Sequence, residues 1–158
     1  MKNHIARRRF PVALALLPTL VAAAVLAGCS KVPDTLKIGV AQPLTGPLGA
    51  LGQDLLNGVN LAVQELNKDG FMVDGKRVKL EVVAVDDKAD AATGKQVAQH
   101  LVDAGVVAVI GHLNSGVSIE TAPIYAGKSI PQIAISTNPK FTQRGCDTSF
   151  RMVANDTL

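Results

Sequence analysis

The sequence predicts an α/β domain built on a doubly wound, mostly parallel sheet with helices on both faces. Three observations carry this reading. The apolar content comes from Val, Ala, Leu and Ile, with only 3% aromatic residues, a mix that suits parallel strands buried beneath helices. Short apolar runs alternate with longer amphipathic segments in the order β-α-β-α-β-α-β. Stretches rich in Gly, Pro and Asp separate them.

Residues 30–35 read as a short polar tether. Leu36 to Ala41 is a first strand, and Gln42 to Gly52 is a loop punctuated by Pro43, Gly46, Pro47 and Gly49. Gln53 to Lys68 carries Leu55, Val59, Ala62 and Leu66 at helical spacing, with Gly70 as its stop signal. Asp74-Gly75 is a hairpin turn signal. Arg77 to Val85 alternates and then becomes wholly apolar, as a second buried strand does, and Asp86-Asp87 ends it by capping the next helix. Ala91 to Ala104 is amphipathic, stopped by Gly105. Val106 to Ile110 is a third strand, Gly111 to Ser115 a loop and Val117 to Gly127 a third helix. Ile130 to Ile135 is a fourth strand with a proline tolerated near its start. Ser136 to Arg144 reads as polar loop, and Thr148 to Val153 as the beginning of a fifth strand.

The first 29 residues have a different character. Lys2, Arg7, Arg8 and Arg9 precede an apolar run from Phe10 to Ala27 that closes on Leu26-Ala-Gly-Cys29. A charged start, an apolar middle and a small-residue cleavage site form an export signal. The cysteine after Leu-Ala-Gly gives it the layout of a lipoprotein signal, cut before Cys29, which then carries lipid. Cleavage at Ala22-Ala-Ala24 would instead leave a soluble periplasmic protein. A transmembrane helix is the competing reading, but Pro11 and Pro18 interrupt the run.

Removing the signal takes four of the 16 basic residues and none of the 13 acidic ones, so one more acid than base remains. The basic character belongs to the signal, and no nucleic-acid partner is expected. The remaining ~129 residues suffice for one domain with a core. Cys146 has no partner if Cys29 is lipidated; a Cys29–Cys146 disulfide is the alternative.

Parallel strands with right-handed crossovers deliver the loops at 42–52, 111–116 and 136–139 to one edge of the sheet. Asn114 or Ser115 is placed to cap the third helix, whose free N–H groups favour a carboxylate or phosphate. Plain capping explains the same residues. Ser136-Thr137-Asn138-Pro139 faces the same cleft, although turn chemistry accounts for it equally well. Enzyme signatures are absent. Gly46, Gly49 and Gly52 have the wrong spacing for a dinucleotide fingerprint, and no phosphate-cradling motif occurs. His4 lies in the signal, His100 is expected exposed on a helix, and His112 adjoins the cleft without an evident Asp or nucleophile partner. No spacing suggests a metal site, and no cofactor or catalytic residue is expected.

Lys37-Ile-Gly-Val-Ala-Gln-Pro-Leu-Thr-Gly-Pro47, Gly58-Val-Asn-Leu-Ala62, Val85-Asp-Asp87, Val109-Ile-Gly-His-Leu-Asn-Ser115 and Ser136-Thr-Asn-Pro-Lys-Phe-Thr-Gln-Arg-Gly145 occur in that order. Together they resemble the periplasmic leucine/isoleucine/valine-binding proteins of branched-chain amino acid ABC transporters, over residues 36–153. The resemblance implies a type I periplasmic binding protein, in which two α/β lobes close on a small ligand and hand it to a membrane permease. It places Ser115 on the family's carboxylate-binding serine and Thr137 on a threonine that contacts the amino acid. Ser136 lies beside Thr137 where this chain is one residue shorter than the family pattern. Asn114 belongs to the same loop, and Leu51 falls where a pocket aromatic often sits. A disulfide found in some members is missing, since its positions read Ala89 and Asn114, and Cys146 stands where an aromatic is common.

Members of that family are more than twice as long. The resemblance therefore implies that residues 36–158 are an incomplete first lobe, a fragment that binds amino acids weakly or not at all. The expected protein is a monomer in the periplasm, held at a membrane by lipidated Cys29, with a small amino acid and an ABC transporter permease as partners. A same-fold protein for an amide, urea or an aromatic acid, and a lipid-anchored sensor domain, are the alternatives.

Overall fold

The computed structural model describes residues 31–157. The expectations for the export signal, Cys29 and a Cys29 disulfide fall outside them. The chain runs β1 (Thr35–Gln42), α1 (Gly49–Asp69), β2 (Met72–Val73), β3 (Lys76–Arg77), β4 (Lys79–Asp86), α2 (Ala91–Asp103), β5 (Val106–Gly111), α3 (Ser115–Ala126), β6 (Gln132–Ala134), α4 (Lys140–Gln143) and β7 (Ser149–Arg151).

Five strands form one sheet in the order β4-β1-β5-β6-β7. Every neighbouring pair in it is parallel. The interior strand β1 has no charged residue beyond Lys37, as befits a strand covered on both faces. Alternation along the strands then sorts the helices. Ala41, Val83, Val85 and Val109 face Ala98 and Leu101 of α2 and Tyr125 of α3, forming the main core. Leu36, Ile38, Leu80 and Ile110 face Leu55, Val59 and Ala62 of α1 on the other side. A smaller cluster joins Ala122 and Ala134 to Phe141, with Cys146 packed at its edge as a free thiol.

Local signals act where the sequence places them. Gly70 caps α1 in the left-handed conformation, its N–H donating to the Leu66 carbonyl at 2.9 Å. Asp74 and Gly75 both take positive φ, 48° and 77°, as a two-residue hairpin between β2 and β3 requires.

Several boundaries differ from expectation. Helix α1 begins at Gly49, so the last four residues of the expected loop are helical and Leu51 lies on the first turn of α1. Thr35, expected in the tether, opens β1 and pairs with Lys79. The expected strand from Arg77 divides at buried Val78, with β3 pairing back to β2 and β4 joining the main sheet. The stretch expected as polar loop after β6 contains α4, whose Phe141 is fully buried.

Candidate functional site

The chain passes from β1 to β4 on one side and then crosses to β5 on the other, so the strand order reverses between β1 and β5. In open parallel sheets the crevice outside the strand carboxyl ends at such a point is where ligands sit. Three segments meet there: the turn after β1, the turn from His112 to Asn114 after β5, and the loop from Ile135 to Pro139 after β6.

The third helix starts at this edge. Its cap residue Asn114 is extended, with φ −81° and ψ 129°, but its side chain makes no capping hydrogen bond. The Asn114 Oδ1 is buried without a partner. The side-chain cap read from the sequence is therefore not made, and the first-turn N–H groups keep their capacity for an acceptor. Ser115 is half-buried, and its hydroxyl oxygen accepts the Asn138 N–H at 3.3 Å. This bond joins the loop after β6 to the start of α3 and leaves the Ser115 proton available for donation. Ser136 is fully buried with an unpartnered hydroxyl, and Thr137 beside it is exposed. Arg151 of β7 holds this loop by donating to the carbonyls of Thr137 at 3.0 Å and Ser136 at 3.5 Å, and to the Thr142 hydroxyl. The structure thus brings Ser115, Asn114, Ser136 and Thr137 to one rim. Leu51 lies at the same edge of the sheet but is 56% exposed on α1.

Two acids behind the rim do more than the sequence reading gave them. The cap of α2 is Asp90, which accepts the Thr93 N–H at 2.7 Å, not Asp86 or Asp87. Asp86 instead accepts from the Leu44 N–H at 2.8 Å, the Thr45 hydroxyl at 2.5 Å and the Lys88 N–H at 2.9 Å. Partial burial raises its pKa, but those hydrogen bonds outweigh it and hold the carboxyl below its ordinary value. Asp87 is the partner that His112 lacked on paper. Its Oδ2 lies 2.6 Å from His112 Nδ1, with both side chains fully buried. The register explains the meeting. Gln42 pairs with Asp86 and Ala41 with Gly111, so Asp87 and His112 follow the strand ends on either side of β1. Sequence spacing of 25 residues conceals this. The available signal was that each residue directly follows a strand entering the same sheet edge. The Tyr125 hydroxyl completes the chain at 3.2 Å from His112 Nε2, and burial and then Asp87 push its pKa well above the usual phenol value.

An apolar groove of about 710 Å³ lies elsewhere, between α1 and the sheet, and shares no residue with this rim.

This architecture, a doubly wound sheet with polar loops at its switch point, defines a lobe of an α/β ligand-binding protein. The chain belongs to the periplasmic binding protein family, whose model matches residues 35–157. It is 45% identical over 120 residues to a Leu/Ile/Val-binding protein homolog 2 of Brucella abortus, covering 75% of this chain and 32% of that protein. The structure superposes on the branched-chain amino acid transporter substrate binding protein LivJ of Streptococcus pneumoniae, solved with isoleucine. That match has a TM-score of 0.69 at 34% identity and covers 77% of this chain and 34% of the other. A solute binding protein from Rhodopseudomonas palustris, solved with 3,4-dihydroxy benzoic acid, matches with a TM-score of 0.66 at 27% identity, over 78% and 33% of the two chains. The chain spans about a third of the length of these relatives, and its sheet is the type I lobe.

Proposed function

We propose that this chain is the first lobe of an extracytoplasmic receptor that captures a branched-chain or related amino acid for an ABC transporter permease. The observation that supports this reading is the Ser115–Asn138 hydrogen bond, which ties the loop carrying Ser136 and Thr137 to the start of α3. Ser115 and the first-turn N–H groups of α3 serve the ligand carboxylate. Thr137 serves the ammonium, with Ser136 buried beside it, and Asn114 and Leu51 line the site. The names of the Brucella and Streptococcus relatives support the amino-acid class. Lipidation of Cys29 would hold a monomer at the membrane surface.

A single lobe covers one face of its ligand, so the isolated chain binds weakly, with a dissociation constant of about 1 mM or above. The experiment is a titration of isotope-labelled protein followed by NMR. Leucine should move the amides of Ser115, Gly116 and Asn138 ahead of all others. Micromolar binding of leucine in calorimetry would refute the one-wall reading, and no response at the rim would refute the site.

The Rhodopseudomonas neighbour supports a second reading, an aromatic acid held by the same carboxylate donors. Leu51 in place of an aromatic alters the pocket wall in either case. A rim response to 4-hydroxybenzoate without one to leucine would select it.

A further inference from the structure

We propose that Asp87 is the positioning residue of this rim, acting through the imidazole of His112 to fix the turn that carries Asn114 and Ser115. The inference rests on the reading of that rim as the ligand site, and adds what sets its geometry.

Asp87 reaches three segments at once. Its N–H donates to the Gln42 carbonyl at 3.1 Å, where β1 ends. Its Oδ1 accepts the Ala89 N–H at 2.9 Å, ahead of α2. Its Oδ2 meets His112 Nδ1 at 2.6 Å, directly after β5. A carboxylate only accepts, so Nδ1 carries a proton and donates it. In the neutral ring Nε2 is then an acceptor, and the Tyr125 hydroxyl at 3.2 Å donates to it. Each member of the chain has its partner, and the carboxylate fixes Nδ1 as the donor of the first bond.

His112 passes this constraint to the third helix at two points. Its carbonyl accepts the Ser118 hydroxyl at 3.0 Å, in the first turn of α3. Its ring holds Tyr125, near the far end of the same helix. Ser115 sits between the imidazole and Ser118 in sequence. Freeing the ring from Asp87 therefore loosens the turn that leads into α3, and with it the seat of the Ser115 hydroxyl against Asn138. Apolar side chains would fill this space without the cost of burying a charge, but they would not dictate a ring orientation.

The test uses the whole chain with Asp87→Asn and Tyr125→Phe, read by amide exchange, by the imidazole N–H resonance and by leucine titration. Wild type should show a solvent-protected His112 Nδ1 proton. In Asp87→Asn that resonance should be lost or displaced. Exchange at 113–118 should quicken about tenfold while 36–41 stay protected, and leucine binding should weaken about tenfold. Exchange at 113–118 within about twofold of wild type, or an even acceleration across the sheet, would overturn the proposal. If Asp87→Asn does not fold, Tyr125→Phe decides. Acceleration confined to 113–118 supports the relay, and none there overturns it. If wild type ignores amino acids while Asp87→Asn still loosens the turn, the ligand reading falls and the positioning role stands.

Discussion

The Asn138 amide donates to the Ser115 hydroxyl across 3.3 Å, so two loops from neighbouring strands share one oxygen. That oxygen is occupied as an acceptor, which leaves its proton free to donate. Ser115→Ala removes both functions. A hydrogen bond to a carboxylate is worth about 1.5–3 kcal/mol, so leucine binding should weaken at least ~10-fold. Folding stability should fall by only about 1 kcal/mol, because a half-buried amide finds water. NMR titration beside urea unfolding separates the two effects. Unchanged leucine affinity would remove Ser115 from the site.

Arg151 makes a second prediction. Its guanidinium reaches the Ser136 carbonyl, the Thr137 carbonyl and the Thr142 hydroxyl together. A lysine ammonium has no fork with which to span them. Arg151→Lys should cost about 1 kcal/mol in urea unfolding, and amide exchange at 136–142 should quicken more than at 112–118. A uniform change would mean that β7 packing, not the fork, holds the loop.

Most of the sheet was legible because its strands and helices are written locally. The apolar run from Val106 to Ile110, the spacing in α1 and the Asp74-Gly75 turn each declare themselves within a few residues. The meeting of Ser115 with the loop at 136–139 was legible too, since both follow parallel strands and such strands share one carboxyl edge. What was hidden is non-local or small. The Asp87–His112 pair depends on register across the intervening β1. Helix α4 has four residues, of which only Phe141 is buried, too short for any periodicity to show.

Asp86 makes the fold sensitive to acid. Its folded pKa lies below the ordinary carboxylate value of about 3.9, so ionised Asp86 stabilises the fold at neutral pH. That contribution is fully present above the unfolded pKa and is lost as pH falls through the lower folded one. Asp86→Asn should lower stability at pH 7 and flatten the decline of stability below about pH 4. Urea midpoints from pH 7 to pH 2 measure this, and parallel curves for the two proteins would contradict it.

Gly49 and Gly52 resembled loop formers, yet both lie in α1, and Gly52 explains why. A Cβ there would stand 2.1 Å from the Pro43 carbonyl oxygen. That atom is backbone and cannot rotate away, so the helix would have to leave the turn after β1. Gly52→Ala should destabilise by about 1–3 kcal/mol and disturb the bonds from Leu44 and Thr45 to Asp86. Gly58, six residues along the same helix, is exposed and would meet nothing within 4 Å. There the ordinary helix preference acts alone, and Gly58→Ala should stabilise by about 0.5–1 kcal/mol. The same substitution thus changes sign within two turns of one helix. Urea unfolding of both variants decides it: a mild Gly52→Ala would show that α1 does not need its close approach to Pro43.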